Sequence, residues 1–195
     1  MTDRHYDNLL QKIKNELEDI QKDRTLTTDD QAFGFWVAER IFNVDPTDAE
    51  IGVAGHENGI DILSVDSQKN EVIITQVKWS STLDHKMNTD EIDKLSNSPQ
   101  YLYDESVVGN STFHQRKKEF REIINGDQEY AIHLQLVLAG TFSKDQELKM
   151  NSLKKLQKIP LGRKSIKITF SYMAKSGLYD VIYHPETPDI SFNFE

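Results

Sequence analysis

NGIDILSVDSQKNEVIITQVKWSS, residues 58–81, is the stretch whose reading decides the fold. An apolar-rich run at 59–65 is followed by breaker residues at 66–70 and a β-prone run at 72–79, which together predict a β-hairpin. Side chains alternate faces along a strand, so Gln76 and Lys78 share one face and Thr75, Val77 and Trp79 the other. Val72 and Ile74 also lie on the face of Gln76 and Lys78, so the polar pair is confined to one end of the strand. With the two strands paired about the turn, Asp61 comes close to both. A carboxylate, an amide oxygen and an ammonium then converge at the end of a sheet. The competing reading of the same pattern is a plain solvent face.

Upstream, Tyr6, Leu10, Ile13, Leu17 and Ile20 recur at three- and four-residue steps, an amphipathic helix with a narrow apolar seam. Such a seam suits packing on its own domain or a homodimer contact. Thr27 or Thr28, followed by Asp29 and Asp30, starts a second helix that runs to about Phe42. Phe35, Ala38 and Phe42 are its expected buried face with Phe33 and Trp36 beside it, and Glu39 falls between Phe35 and Phe42 on that side, at the core rim, reaching into a site, or exposed near Arg40. A turn at Asp45, Pro46 and Asp48, a short strand at 49–54 and a loop carrying His56 and Glu57 lead into the hairpin.

Downstream, Asn88 or Thr89 opens a helix with Asp90, Glu91 and Asp93 near its start, expected to break near Pro99. A helix at 112–124 closes at Asn125 and Gly126. Residues 130–142 have the composition of a long buried strand, with His133 read as a core or edge histidine. Ser143 caps a helix expected to end at Pro160 and Gly162, and strands are expected at 165–173 and 178–184.

The 195 residues fit one domain over 1–195, with 1–25 as an N-terminal helix and 27–175 as the core. The absence of cysteine excludes disulfides and thiolate metal sites. No stretch reaches the roughly 20 apolar residues of a membrane span, and MTDRHYDNLL lacks a signal-peptide core, so no membrane and a cytoplasmic location are expected. A net charge of −9 argues against a protein that coats nucleic acid non-specifically. The charge is uneven, however. Lys154, Lys155, Arg163 and Lys164 belong to a basic C-terminal segment, and Arg116, Lys117 and Lys118 to a smaller cluster. Both read as solvated helix faces or as phosphate-backbone contacts flanking the hairpin.

GID, a turn and then QVK resemble the active-site hairpin of the PD-(D/E)xK nuclease superfamily, in the Mrr-like variant whose ExK glutamate is a glutamine. With the helix before it and KWSS after the lysine, the stretch is similar to the N-terminal domain of abortive-infection phage-resistance proteins of the AIPR type. Those proteins are usually much longer, so the chain reads as an N-terminal portion or a short relative. The resemblance implies a mixed α/β (α+β) fold. Its core is restriction-endonuclease-like αβββαβ, a mixed sheet flanked by helices, with an extra N-terminal helix.

The resemblance also implies a nuclease that uses magnesium or manganese on DNA or RNA, in phage defence or restriction. Asp61 would be the main metal ligand, Glu39 a second or water-mediated one, and the Gln76 side-chain oxygen and Val77 carbonyl neutral ligands. Lys78 would position the attacking water and stabilise phosphate charge. The alternative is a catalytically inactive domain of the same fold that binds nucleic acid or protein. GxGxxG and GxxxxGK[ST] are both absent, which weakens a nucleotide-binding enzyme.

Overall fold

The structure, a computed structural model, describes residues 3–43, 50–51, 59–107 and 111–184. Its elements are α1 (Asp3–Arg24), α2 (Asp29–Arg40), β1 (Glu50–Ile51), β2 (Ile62–Asp66), β3 (Glu71–Lys78) and β4 (His85–Lys86). They continue with α3 (Thr89–Tyr103), α4 (Ser111–Asn125), β5 (Ala131–Leu138), β6 (Gly140–Thr141), α5 (Lys144–Lys154), β7 (Lys158–Leu161), β8 (Lys164–Met173) and α6 (Lys175–Tyr183). The order α2, β1–β2–β3, α3 and α4, β5 follows the expected αβββαβ pattern.

The main sheet runs β1-β2-β3-β5-β8-β7. The first three strands form an antiparallel meander, β3, β5 and β8 are parallel, and β7 returns antiparallel along β8. Parallel neighbours need crossovers: α3 and α4 carry the chain from β3 to β5, and α5 from β5 towards β7 and β8, all on one face of the sheet. One face packs Val72, Ile74, Leu134, Leu136, Ile166 and Ile168 under α3, α4 and α5. The other packs Ile62, Val77, Trp79, Val137 and Met173 under α1, α2 and α6. The seam of α1 packs in this second core, with Ile13 at 0% and Leu17 at 1% exposure; Leu9, also at 0%, is buried more fully than the expected Leu10, which with Tyr6 and Ile20 is only partly covered.

Local chemistry sets several boundaries. The Thr28 hydroxyl accepts from the Gln31 N–H at the start of α2. Asn88 and Glu91 form a reciprocal capping box on α3, as Ser143 and Gln146 do on α5. In the β2–β3 turn the Asp66 carboxylate accepts from the Lys69 and Gln68 N–H groups, and the bond from Lys69 holds its pKa below the usual aspartate value.

Three expectations are corrected. The helix does not break at Pro99; α3 continues to Tyr103. Pro99 cannot donate to the Leu95 carbonyl, and the Ser98 hydroxyl donates to it instead at 2.7 Å. The helix from Ser143 ends at Lys154, and Lys158–Leu161 is an edge strand, where a proline is tolerated. Residues 175–183 are helical, because Leu178 is buried in the core shared with α1 and β8, and that packing outweighs the β propensity of the run. The buried face of α2 is centred on Phe33, Trp36, Val37 and Ala38, so the residues expected beside the face lie at its middle, and Phe35 and Phe42 are only half-buried. Of the strand expected at 49–54, only Glu50–Ile51 is described, and His56 and Glu57 lie outside the described residues.

Candidate active site

The hairpin register pairs Ile62 with Thr75 and Asp66 with Glu71. Asp61 therefore sits just before β2, beside the C-terminal end of β3. Its N–H donates to the Thr75 carbonyl at 2.9 Å, and its carboxylate Oδ2 accepts from the Val77 N–H at 2.8 Å. These two backbone bonds hold the carboxylate across the strand end. The expected closeness of Asp61 to the QVK segment is present.

Gly59 brings this segment against α3. It has φ +82, and a Cβ there would lie 2.9 Å from the Leu95 nitrogen and the Lys94 carbonyl carbon. Only a glycine combines that dihedral with so close an approach. Glu91 lies one helical turn before Leu95, so the same contact sets the start of α3 beside the hairpin.

Glu91 is the residue the sequence reading missed. Its Oε1 lies 3.3 Å from Lys78 Nζ, and its Oε2 accepts from the Asn88 N–H at 2.8 Å. Both partners of the ion pair are largely shielded, with side-chain exposures of 27% for Lys78 and 22% for Glu91. In such surroundings the attraction is less screened than on an open surface. The only sequence signal was the capping-box spacing from Asn88 to Glu91, which predicts one of its two contacts.

Gln76 is 2% exposed, and its Oε1 is buried with no hydrogen-bond partner. A buried amide oxygen without a donor costs about 1–3 kcal/mol. Hard cations take neutral carbonyl oxygens together with one or two carboxylates, and Gln76 and the Asp61 carboxylate lie at the same end of the hairpin. Asp61 and Gln76 supply oxygen donors of the kind such a cation takes. Among the described residues no group of three or more His, Cys, Asp or Glu converges as a metal cluster.

Glu39 is placed elsewhere. Its carboxylate pairs with Arg24 of α1 at 3.2 Å, and the same guanidinium lies over the Phe35 ring at 4.6 Å. Its helix covers the sheet face of Val77 and Trp79, opposite to that of Gln76 and Lys78. The structure does not bring Glu39 into the group formed by Asp61, Gln76, Lys78 and Glu91.

The basic residues also divide. Lys117 is 2% exposed, and its Nζ donates to the Val107 carbonyl at 2.7 Å. Burial lowers its pKa, with Arg121 adding to the effect. It has no surface to offer a phosphate. Arg116 pairs with Glu119 at 2.8 Å, Lys118 is exposed near Glu122, and Lys164 donates to the Gly126 carbonyl. Lys155 and Arg163 are exposed. Lys154 lies over the Tyr172 ring at 4.7 Å, and Tyr172 shares a sheet row with Leu136 and Gln76. Lys154 is thereby tied to the row and face of Gln76.

No protein-family model matches the chain, and neither a curated protein nor a solved structure matches it.

Proposed function

We propose that the chain is a metal-dependent phosphodiesterase that cleaves DNA or RNA. The observation that carries this reading is the meeting of Asp61, the orphaned Gln76 oxygen and the Lys78–Glu91 pair at one end of the β2–β3 hairpin. Asp61, Gln76 and the Val77 carbonyl would hold magnesium or manganese. When bound, that ion supplies charge neutralisation at the phosphate and an acidified water. The Val77 N–H orients the Asp61 carboxylate, and Glu91 holds the Lys78 ammonium along the strand end. Lys78 then exchanges Glu91 for a phosphate oxygen and stabilises the charge that develops there. Lys154, over the Tyr172 ring on the same face and two strands across, would contact the phosphate backbone. The likeness of GID and QVK to phage-resistance nucleases supports phage defence or restriction as the setting.

One observation favours a catalytically silent nucleic-acid-binding domain instead. Lys78 and Glu39 are each neutralised by an ion pair, with Glu91 and Arg24. Cleavage of plasmid DNA, single-stranded DNA and RNA with magnesium or manganese separates the two readings. The nuclease reading expects metal-dependent cutting that Asp61→Ala and Lys78→Ala each reduce at least about 100-fold. If the wild type cuts nothing and calorimetry detects no metal binding, the silent reading replaces it.

A further inference from the structure

The sheet register separates the basic β7–β8 hairpin from the Asp61 site. Lys158 stands directly opposite Lys167 in this antiparallel pair, so the two ammonium groups rise from the same face as neighbours. Both are exposed, and neither has a carboxylate partner among the described residues. Like charges in directly opposed positions destabilise a ladder. A lysine on the edge strand β7 guards against edge-to-edge pairing, but that purpose does not require a second lysine facing it from the inner strand. Arg163, at the turn of the same hairpin, is a further exposed cation.

A hydroxyl and an imidazole lie next to the lysine pair on this face. Thr169 follows Lys167 on the same face, and its hydroxyl contacts His133 Nδ1. His133 Nε2 lies 3.1 Å from Glu71, so a polar row crosses three strands beside the lysine pair. This face is the opposite one from that of Gln76 and Lys78, because Ile166 and Ile168 alternate with Lys167 and pack in the core beneath α3, α4 and α5. The row of Lys78 lies near Leu138, whereas Lys167 immediately precedes Ile168, the partner of Ile132. At a strand rise of about 3.3 Å per residue, the two places are roughly 20 Å apart along the sheet.

We infer that Lys158 and Lys167, with Thr169 beside them, form a second phosphate-binding surface for a nucleic-acid backbone, separate from the candidate active site. In a chain of net charge −9, such a local positive patch is where a polyanion can approach. This surface stands independently of whether the Asp61 site cuts.

The test is fluorescence anisotropy with short labelled single-stranded DNA, single-stranded RNA and duplex DNA, in EDTA so that metal-dependent cleavage cannot contribute. Lys167→Glu is the informative variant, since it turns a repulsive cross-strand pair into an attractive one. Its melting temperature should equal or exceed that of the wild type, while affinity for the best probe falls about tenfold or more. The slope of log affinity against log salt should drop by about two as both lysines are withdrawn from phosphate. Lys167→Arg should retain binding. Lys22→Glu, an exposed change on α1, should cost less than about twofold. The inference is overturned if the wild type binds none of the probes, if Lys167→Glu binds as the wild type does, or if Lys22→Glu loses as much.

Discussion

Two residues carry constraints that their neighbours do not. Gly59 is held at φ +82 with α3 backbone 2.9 Å from where a Cβ would stand. Gly59→Ala should therefore destabilise the chain by about 2–3 kcal/mol, from left-handed strain together with displacement of α3. Urea unfolding monitored by circular dichroism would measure it, and a loss below about 0.5 kcal/mol would mean that the hairpin is not pinned there. Lys117 is the second. Burial depresses its pKa below the ordinary 10.5, so the unfolded chain holds this proton more tightly than the folded one. Stability linked to Lys117 therefore rises as pH increases through the interval just below 10.5 and levels off above it. Lys117→Met should remove that rise, so the unfolding free energy of the wild type should gain on the variant between neutral and alkaline pH. A constant difference across the range would show that Lys117 keeps its ordinary affinity for protons.

At the scale of elements, the start of α3 joins fold to site, because one carboxylate serves both the Asn88 cap and Lys78. Asn88→Ala should cost about 1 kcal/mol and Asn88→Gly only a few tenths, as measured by thermal unfolding. Equal losses for the two would mean that the cap bond contributes nothing. This junction also marks how far the sequence could be read. The β2–β3 hairpin was legible because alternation and turn residues agree locally, and the Asp61 placement follows from its register. Glu91 was visible only as a capping acid, since its reach to Lys78 depends on where α3 docks against β3. Glu39 was misplaced for a related reason. Three- and four-residue spacing ranked Phe35 and Phe42 as core, but packing against α1 turns Phe33 and Trp36 inward and leaves Glu39 beside Arg24. At Lys158–Leu161, proline and glycine read as a helix stop, and only the partner strand β8 reveals an edge strand.

For the whole molecule, the two faces of one sheet carry two cores that meet only through the strands between them. Both tryptophans, Trp36 and Trp79, lie in the core beneath α1, α2 and α6, with Phe33 between them at 5.6 and 5.0 Å. Trp36 is further tied by its Nε1–H to Glu16 of α1 at 2.7 Å. Tryptophan emission therefore reports one face, whereas far-ultraviolet circular dichroism reports helices on both. Ile13→Ala opens a cavity under α1 and Ile92→Ala one under α3, and each residue is fully buried. Each variant should lose about 2–5 kcal/mol. Because β3 and β5 contribute side chains to both cores, the two probes should give coincident transitions in both variants. An Ile13→Ala chain whose tryptophan signal melts first, with most of its circular dichroism retained, would instead make α1 and α2 a separately unfolding layer. The Asp61 site, held between β3 and α3, would then survive the loss of that layer.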